Sequence, residues 1–345
     1  MKILVLGGTR FLGRAVVERA AGAGIEVTCF RRGTAEPENQ VGRLIRGDRT
    51  SAADIDRLAA SGEWDLVVDT SAYVPEQTQK MAAALEGATR KYLLVSTVAV
   101  YRDWPVRPIT EDSSVFAYPP HDRAVDPAYG ALKSGCETVV QEVFGPDRSV
   151  VLRPGAILGP HDYLGRLPWW LLRISGGGRV LAPGSPDRVI TPVDVRDVAD
   201  FAIGAVGTLS GFYNVCGPER TMGELLETCR AVTESDAELE WVGDEEWLAA
   251  QPEVRPWTSL PLWRAERGVW EVDTERARRA GLTGRPLRAT VASTWQWLQS
   301  AGASAVPNPE NGITAAVERT LLTRWDRFTA RPSLPGEVRG AGSIE

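Results

Sequence analysis

The chain has 345 residues, of which 43% are hydrophobic, and its formal net charge is -6 at pH 7. This length suits one large core with a smaller subdomain, or two domains. The acidic balance offers no basic stripe for nucleic acid, and no apolar run reaches the roughly 18 residues that a membrane span needs. Glycines follow the short apolar run at residues 2–6 without a cleavage site, so a cytoplasmic location is expected.

The first half of the chain alternates between strand and helix patterns. The strand patterns lie at residues 2–6, 26–30, 44–45, 65–69, 92–95 and 149–152. The helical patterns lie at residues 11–23, 52–60, 76–86 and 127–143. This alternation predicts an α/β fold, a Rossmann-type doubly wound parallel sheet with helices on both faces.

After Arg153 the regular alternation ends, and segments rich in Gly, Pro and Trp follow. The remaining patterns predict a helix at 195–206, a strand at 211–216, an irregular Trp- and Pro-rich region at 239–270, and helical structure at 276–298. We therefore expect a dinucleotide-binding core at 1–156 with returning elements at about 189–216. A substrate-binding subdomain is expected at 157–188 and 217–330, with a flexible tail at 331–345.

The cysteines and histidines give no sign of a metal site. Cys29, Cys136, Cys216 and Cys229 show neither a CxxC pair nor the spacing of metal ligands, which favours a structural role as small buried hydrophobes. The two histidines of the chain are isolated from such groups. No metal is therefore expected.

A glycine-rich segment, GGTRFLG at residues 7–13, lies between the first predicted strand and the first helix. In this position, N–H groups at a helix N-terminus bind the pyrophosphate of a dinucleotide. Gly7 permits the tight turn, and Gly13 permits close packing of helix on strand. An ordinary glycine-rich turn is the alternative. The residues expected to bind the cofactor here are Gly7, Thr9, Arg10, Phe11, Leu12 and Gly13.

Five motifs occur in a characteristic order: GGTRFLG, GD at 47–48, VSTVAVY at 95–101, YGALK at 129–133 and LRPGAILGP at 152–160. Together they resemble the extended short-chain dehydrogenase/reductase family, the group of the NAD-dependent epimerase/dehydratase proteins, in an atypical GGTRFLG subgroup. The resemblance extends over about residues 1–220 and rests on the order and spacing of all five. The resemblance predicts the reaction mechanism better than it predicts the substrate.

Two departures from the family concern the cofactor. Arg10 stands where the family usually has the middle glycine, and it adds a cation near the phosphates. At the end of the second strand, NAD-specific members place an acid that binds the ribose 2'-hydroxyl, but this chain has Arg31 and Arg32. Because guanidinium matches phosphate geometry, we predict NADP(H). The alternative is that the two arginines form a solvated turn.

The resemblance also implies contacts with the two ends of the cofactor. Asp48 of the GD motif is expected to accept a hydrogen bond from the adenine amino group. Pro154 and Gly155 begin a loop that faces the nicotinamide in the family.

Tyr129 and Lys133 are four residues apart on a predicted helix and therefore share one face. A chance surface pair is the alternative. The resemblance makes Tyr129 the residue that exchanges a proton with substrate and has Lys133 bind the nicotinamide ribose. It also has Thr97 hydrogen-bond the same substrate oxygen. Positive charge from Lys133 and from an oxidised nicotinamide is expected to lower the pKa of Tyr129 from its usual value of about 10.

Other residues are weaker candidates for contact with substrate. Ser96 ranks behind Thr97 because it lies on the opposite face of the strand, and His161 is either a substrate contact or a surface residue. Two roles are open for Trp169, Trp257 and Trp263. They either form aromatic walls around an apolar or flat substrate or fill the core of the subdomain.

A second group of residues bears on whether the reaction is a dehydration or acts on a nucleotide sugar. Val98 and Ala99 stand where sugar 4,6-dehydratases of the family carry an Asp-Glu pair, which argues against dehydration by that mechanism. Arg166, Arg173 and Arg255 could hold a diphosphate, which keeps a nucleotide-sugar substrate as an alternative.

Three functions follow from these motifs. The favoured one is NADPH-dependent reduction of a ketone in a small molecule, such as a natural product, with Tyr129 as proton donor. The first alternative is epimerisation of a nucleotide-activated sugar with retained cofactor. The second is a non-catalytic or RNA-binding relative, since GGTRFLG also resembles plastid RNA-binding members. The expected partner is a small-molecule substrate, without nucleic acid or membrane, and a homodimer is left open.

Overall fold

The computed structural model describes residues 1–33, 41–119, 128–255, 257–301 and 311–330. Seven strands form its main sheet, all paired in parallel: β1 (Lys2–Leu6), β2 (Glu26–Arg31), β3 (Arg43–Arg46), β4 (Trp64–Asp69), β5 (Thr89–Val95), β6 (Ser149–Pro154) and β11 (Gly211–Val215). Their order across the sheet is β11-β6-β5-β4-β1-β2-β3. Six shorter strands of the described residues pair outside this sheet: β7 (Ile157–Leu158), β8 (Arg179–Pro183), β9 (Val189–Ile190), β10 (Val193–Asp194), β12 (Arg220–Thr221) and β13 (Glu238–Val242).

Within the described ranges, eleven α-helices accompany these strands: α1 (Phe11–Gly22), α2 (Ala52–Ala59), α3 (Pro75–Leu85), α4 (Tyr129–Arg148), α5 (Arg166–Ser175), α6 (Val195–Thr208), α7 (Met222–Thr233), α8 (Glu245–Ala249), α9 (Glu275–Arg279), α10 (Leu287–Ala301) and α11 (Ala315–Thr329). Short 3-10 turns occur at Glu86–Ala88, Val98–Val100 and Arg267–Val269. In the described part of the chain, no helix is long and apolar enough to cross a membrane.

Strand β1 shows why the sheet is covered on both sides. Ile3 and Val5 pack into one buried cluster with α1 and α6, whereas Leu4 and Leu6 pack into another with α2, α3 and α4. Side chains alternate between the faces of a strand, so a continuous apolar run must be buried on both. This arrangement confirms the predicted doubly wound parallel sheet.

The order of the strands creates a crevice at one edge of the sheet. From β1 the chain continues through β2 and β3 on one side, and then through β4, β5 and β6 on the other. In open sheets of this kind, ligands bind outside the carboxyl ends of the strands where the order reverses. The loops after β1 and β4 lie at this point.

A separate buried cluster lies in the C-terminal half. It includes residues of α5, α7 and α10 together with the parallel pair β8 and β13. Helices α5, α7 and α11 and the β8–β13 pair were not predicted individually from the sequence. Residues 195–215 return to the main sheet, because β11 pairs with β6 and α6 packs against α1.

The helix predicted at residues 127–143 ends later in the structure than the sequence pattern predicts. Helix α4 begins at Tyr129 and continues to Arg148, with a kink where Gly145 has a φ of 71° before Pro146. The predicted start of that helix at Pro127 lies outside the described residues, as does the tail at 331–345 that was expected to be flexible.

A buried ion pair joins α4 to β6. Arg153 donates through Nε and Nη2 to the two carboxylate oxygens of Glu137, at 3.0 and 2.6 Å. Its Nη1 donates to the Tyr101 hydroxyl at 2.9 Å, which in turn donates to Asn214 Oδ1 at 2.7 Å. Both members of the ion pair have side chains only 4% exposed. The pair thus fixes the helix that begins at Tyr129 against the strand that ends at Pro154.

Candidate active site

The loop after β1 has the conformation of a phosphate-binding turn. Gly7 and Gly8 have φ values of 112° and 84°, in the region that favours glycine. A Cβ atom on Gly7 would lie 2.5 Å from Thr70 Oγ1, and one on Gly13 would lie 2.6 Å from the Gly8 nitrogen. These positions therefore admit glycine alone.

Arg10 is accommodated in this loop because its backbone is extended, with φ of -120° and ψ of 146°, a conformation open to any residue. Its side chain does not cap α1, and the first turn of α1 contains no acid. The N–H groups at the start of the helix and the positive end of its dipole are therefore available to an anion. The loop fits the pyrophosphate of a dinucleotide.

A cavity of about 440 Å³ joins this loop to the ends of β5 and β6 and the start of α4. It brings together twelve residues expected at the site: Gly7, Thr9, Arg10, Phe11, Leu12, Gly13, Ser96, Thr97, Tyr129, Lys133, Pro154 and Gly155. These residues come from four separate parts of the chain. The parallel sheet places them at one edge.

Lys133 lies in the second turn of α4 and is only 3% exposed. Its Nζ atom donates to the carbonyl oxygens of Ala72 and Val95, at 2.7 and 2.6 Å. Burial lowers the pKa of this lysine. An ammonium group has three N–H donors, so one is left for a hydroxyl such as that of a ribose.

Tyr129 is half exposed at the same cavity. The cavity walls nevertheless remove enough water from the phenol to raise the pKa of Tyr129 to about 12. Tyr163 adds to this increase, and Arg166 is the cation that opposes it. Lys133 is not among the groups that lower this pKa in the described structure, where its ammonium donates to two backbone carbonyl oxygens.

Thr97 and Ser96 follow β5 and line the cavity beside Tyr129 and Lys133. Thr97 Oγ1 accepts a hydrogen bond from the Ala99 N–H at 3.2 Å, which leaves its O–H free to donate. Ser96 is 4% exposed, and its hydroxyl has no partner among the described residues. An unpaired buried hydroxyl is costly, so a polar atom of a bound molecule would stabilise it.

A second cavity of about 490 Å³ continues from the first, and both are lined by Gly7, Thr9, Ser71 and Tyr73. It contains the predicted cofactor residues Arg31, Arg32 and Asp48. The Arg32 side chain is 79% exposed, with its Nη1 atom 3.9 Å from Asp48 Oδ2. Arg31 is buried at the end of β2. The cavity has the position expected for the adenosine half of a dinucleotide, and its wall is cationic.

Arg49 also lines this second cavity, and sequence reasoning missed it. It donates to Ser71 Oγ at 2.8 Å and forms an ion pair of 3.1 Å with Asp69, which is fully buried at the end of β4. Burial alone would raise the pKa of Asp69, but the Arg49 guanidinium holds it below the ordinary value. The Arg49 guanidinium is therefore already paired within the protein.

Two tyrosines that sequence reasoning missed form the aromatic wall of the site. Tyr73 and Tyr163 line the first cavity, and the ring of Tyr73 lies 6.5 Å from that of Tyr129. Tyr163 makes an edge contact with Phe11 at 6.5 Å, and the Arg10 guanidinium lies 5.6 Å from its centre. Tyr163 thus connects the segment after β7 to the phosphate loop. Aromatic residues are common after strands, so the sequence alone does not identify Tyr73 or Tyr163 as part of the site.

Four residues named as candidate substrate contacts, or else as surface or core residues, do not line either cavity of the described structure. His161 instead lies 5.0 Å from the Trp297 ring. Trp263 is buried and donates to Glu245 at 3.0 Å, while Trp169 packs at 4.7 Å on Trp170. Both fill the C-terminal core. Trp257 reaches the site only through Arg166, whose guanidinium lies 5.7 Å from its ring centre.

Comparison with known proteins gives one family. A family model described as the NAD dependent epimerase/dehydratase family matches residues 3–216. Among curated proteins, the chloroplast stem-loop binding protein of 41 kDa b from Arabidopsis thaliana is 24% identical over 239 residues. The match includes 65% of this chain and 57% of that protein, so the chain spans little more than half the length of this relative.

Solved structures share the fold. A UDP-glucose 4-epimerase from Thermotoga maritima, solved with UDP-glucose, is 17% identical, with a TM-score of 0.65 over 87% of this chain and 99% of that one. A structure described as a putative epimerase from Burkholderia cenocepacia is 22% identical, with a TM-score of 0.68 over 87% and 98%. The Bordetella bronchiseptica enzyme WbmH, solved with NAD+, is 18% identical, with a TM-score of 0.64 over 88% and 99%.

Proposed function

The chain belongs to the NAD dependent epimerase/dehydratase family, and we propose that it is an NADP(H)-dependent reductase that converts a small-molecule ketone into an alcohol. Within this family of NAD(P)-dependent enzymes, the observation that carries the choice of reduction is Arg32, which is exposed in the second cavity where NAD-specific members place an acid. A guanidinium there favours a 2'-phosphate and therefore NADPH, the cofactor on which net reduction usually draws. Tyr129 lines the first cavity and carries a proton that it can donate at pH 7.

Several residues of this chain would hold the cofactor, which when bound supplies the hydride. The amide groups at the start of α1 face the pyrophosphate position. Arg32, exposed at the second cavity, forms a long ion pair of 3.9 Å with Asp48, and its guanidinium would bind a 2'-phosphate. Lys133 presents its remaining N–H to the ribose from the floor of the first cavity.

The proton moves from Tyr129 to the substrate oxygen. The Tyr129 hydroxyl donates to the carbonyl oxygen as negative charge develops there, and the Thr97 hydroxyl donates to the same atom. Both side chains line the cavity that also contains Pro154 and Gly155, the expected neighbours of the nicotinamide. The buried Ser96 hydroxyl offers a further polar contact.

Epimerisation of a nucleotide sugar is the competing function. An epimerase must first remove a proton from an alcohol and later give a proton back to the resulting ketone. The raised pKa of Tyr129 favours the protonated phenol, which suits only the second of these steps. A stem-loop-binding role, suggested by the name of the Arabidopsis relative, would need a basic surface, and the net charge of -6 argues against it.

The test supplies NADPH with a panel of small ketones and, separately, with nucleotide sugars, and follows absorbance and product. Stoichiometric NADPH consumption with alcohol formation is the expected result. Interconversion of nucleotide-sugar isomers with no net NADPH consumption would overturn the reductase in favour of the epimerase.

A further inference from the structure

Arg166, the first residue of α5, provides a free positive charge in the wall of the first cavity. The residue is partly buried, and its guanidinium lies against the face of Trp257 at 5.7 Å. Within the described ranges, that guanidinium makes neither a hydrogen bond nor an ion pair. Arg10 and Lys133 line the same cavity, but the Lys133 ammonium already donates to two backbone carbonyl oxygens. The Arg166 guanidinium adds five N–H donors to this wall.

The nearest acid does not neutralise this charge by contact. Asp162 is 1% exposed, and its carboxylate accepts three backbone N–H groups, from Leu164, Gly165 and Arg166, at 3.0, 3.3 and 3.1 Å. It therefore caps the start of α5. Burial lowers the pKa of Arg166, whereas Asp162 acts on it through space in the opposite direction. A desolvated cation without a direct partner favours the binding of an anion.

The other two arginines considered for a diphosphate are not available. Arg173 donates to Glu318 at 2.6 Å and to the carbonyl oxygens of Gly177 and Arg179. Arg255 is exposed and does not line the cavity. A diphosphate would thus meet one free guanidinium on this wall instead of three. One guanidinium matches one carboxylate through two parallel hydrogen bonds.

We propose that Arg166 binds a carboxylate of the substrate, so that the ketone reduced by this enzyme belongs to a small oxo acid and not to a nucleotide sugar. This inference rests on the proposed reductase function. Arg166 and Tyr129 line the same cavity, so a carboxylate held by Arg166 would share it with the carbonyl that Tyr129 protonates. Trp257 supports the guanidinium from behind and limits its orientations.

The test measures binding and turnover separately with matched probes. Acetoacetate, phenylpyruvate and 2-oxobutanoate are each compared with their methyl esters, which keep the ketone and lose the charge. Calorimetric titration into the protein with NADPH present should show at least one acid bound about 10- to 100-fold more tightly than its ester, the size of a charged hydrogen bond. Arg166→Gln should remove this preference, and Arg166→Lys should keep part of it. Arg255→Gln, which removes an arginine outside the cavity, should leave it unchanged.

The outcomes separate this inference from the proposed function. Equal binding of every acid and its ester, or a preference that survives in Arg166→Gln, would overturn the carboxylate site even if ketones are reduced. An Arg166-dependent preference without any reduction would support the site and contradict the reductase. Tighter Arg166-dependent binding of uridine diphosphate than of any oxo acid would also overturn the assignment.

Discussion

Lys133 lies beneath Tyr73, with its Nζ atom 5.3 Å from the centre of the tyrosine ring. The ammonium is thus held between an aromatic face and the carbonyl oxygens of Ala72 and Val95. Because Ala72 follows β4 and Val95 ends β5, the lysine connects the loop beyond one strand to the end of its neighbour. A residue expected to act on the cofactor therefore also stabilises the cavity.

We expect Lys133→Met to lose stability as well as activity. The substitution leaves two buried carbonyl groups without a donor, at a cost of about 1–3 kcal/mol for each. Urea unfolding of the cofactor-free protein measures this loss, and a titration with NADPH measures the loss of affinity. An unchanged free energy of unfolding would contradict the structural role of the ammonium.

Tyr129→Phe should separate catalysis from stability. The hydroxyl makes no contact that holds the described fold together, so unfolding and NADPH binding should change little while turnover falls about 100-fold or more. The matched control is Tyr118→Phe, whose hydroxyl donates to Glu76 at 2.7 Å and lies outside both cavities. Full turnover by Tyr129→Phe would refute the proton-donor role.

Arg32→Ala should weaken binding of NADPH and leave binding of NADH unchanged. Loss of one charged contact with a phosphate costs about 1.5–3 kcal/mol, or about 10- to 150-fold in affinity. Fluorescence titration with each nucleotide measures the difference, with Arg90→Ala as the control because Arg90 lines neither cavity. Tighter binding of NADH than of NADPH by the unmodified protein would contradict the proposed cofactor.

The pKa of Tyr129, raised to about 12 by burial, fixes the sign of the pH dependence. The phenol stays protonated below that pKa, so the rate of ketone reduction should not fall between about pH 6 and 9 because of this residue. Oxidation of the product alcohol needs the phenolate, so its rate should rise about tenfold for each pH unit in that range. A Tyr129-dependent decrease in reduction near neutral pH would show that the assigned pKa is wrong.

Glu137→Gln should destabilise the protein strongly. It leaves the Arg153 guanidinium buried without its counter-charge, and breaking a buried pair in this way costs about 3–5 kcal/mol. Glu18→Gln is the matched control, because the Arg14–Glu18 pair is exposed and should contribute less than about 1 kcal/mol. Equal free energies of unfolding for the two variants would contradict the importance of the α4–β6 connection.

The sequence by itself determined the sheet, the phosphate loop and the position of Tyr129 and Lys133. These features depend on local spacing. Alternating apolar runs form buried parallel strands, Gly7 and Gly13 stand where a Cβ would collide, and a four-residue separation places two side chains on one helical face. The structure differs from these predictions mainly at the ends of elements, as at the C-terminal end of α4.

Only the tertiary structure decided which side chains line the cavity next to the phosphate loop. Tyr73, Tyr163 and Arg166 line the cavity, whereas Trp263, named from the sequence as a candidate substrate contact, is buried in the C-terminal core. A tryptophan in a loop has the same local pattern whether it faces a substrate or another helix. Whether an arginine is free depends on acids far away in the chain, as with Arg173 and Glu318, which pair across 145 positions. Such pairing is set by how the elements pack, and local spacing does not encode it.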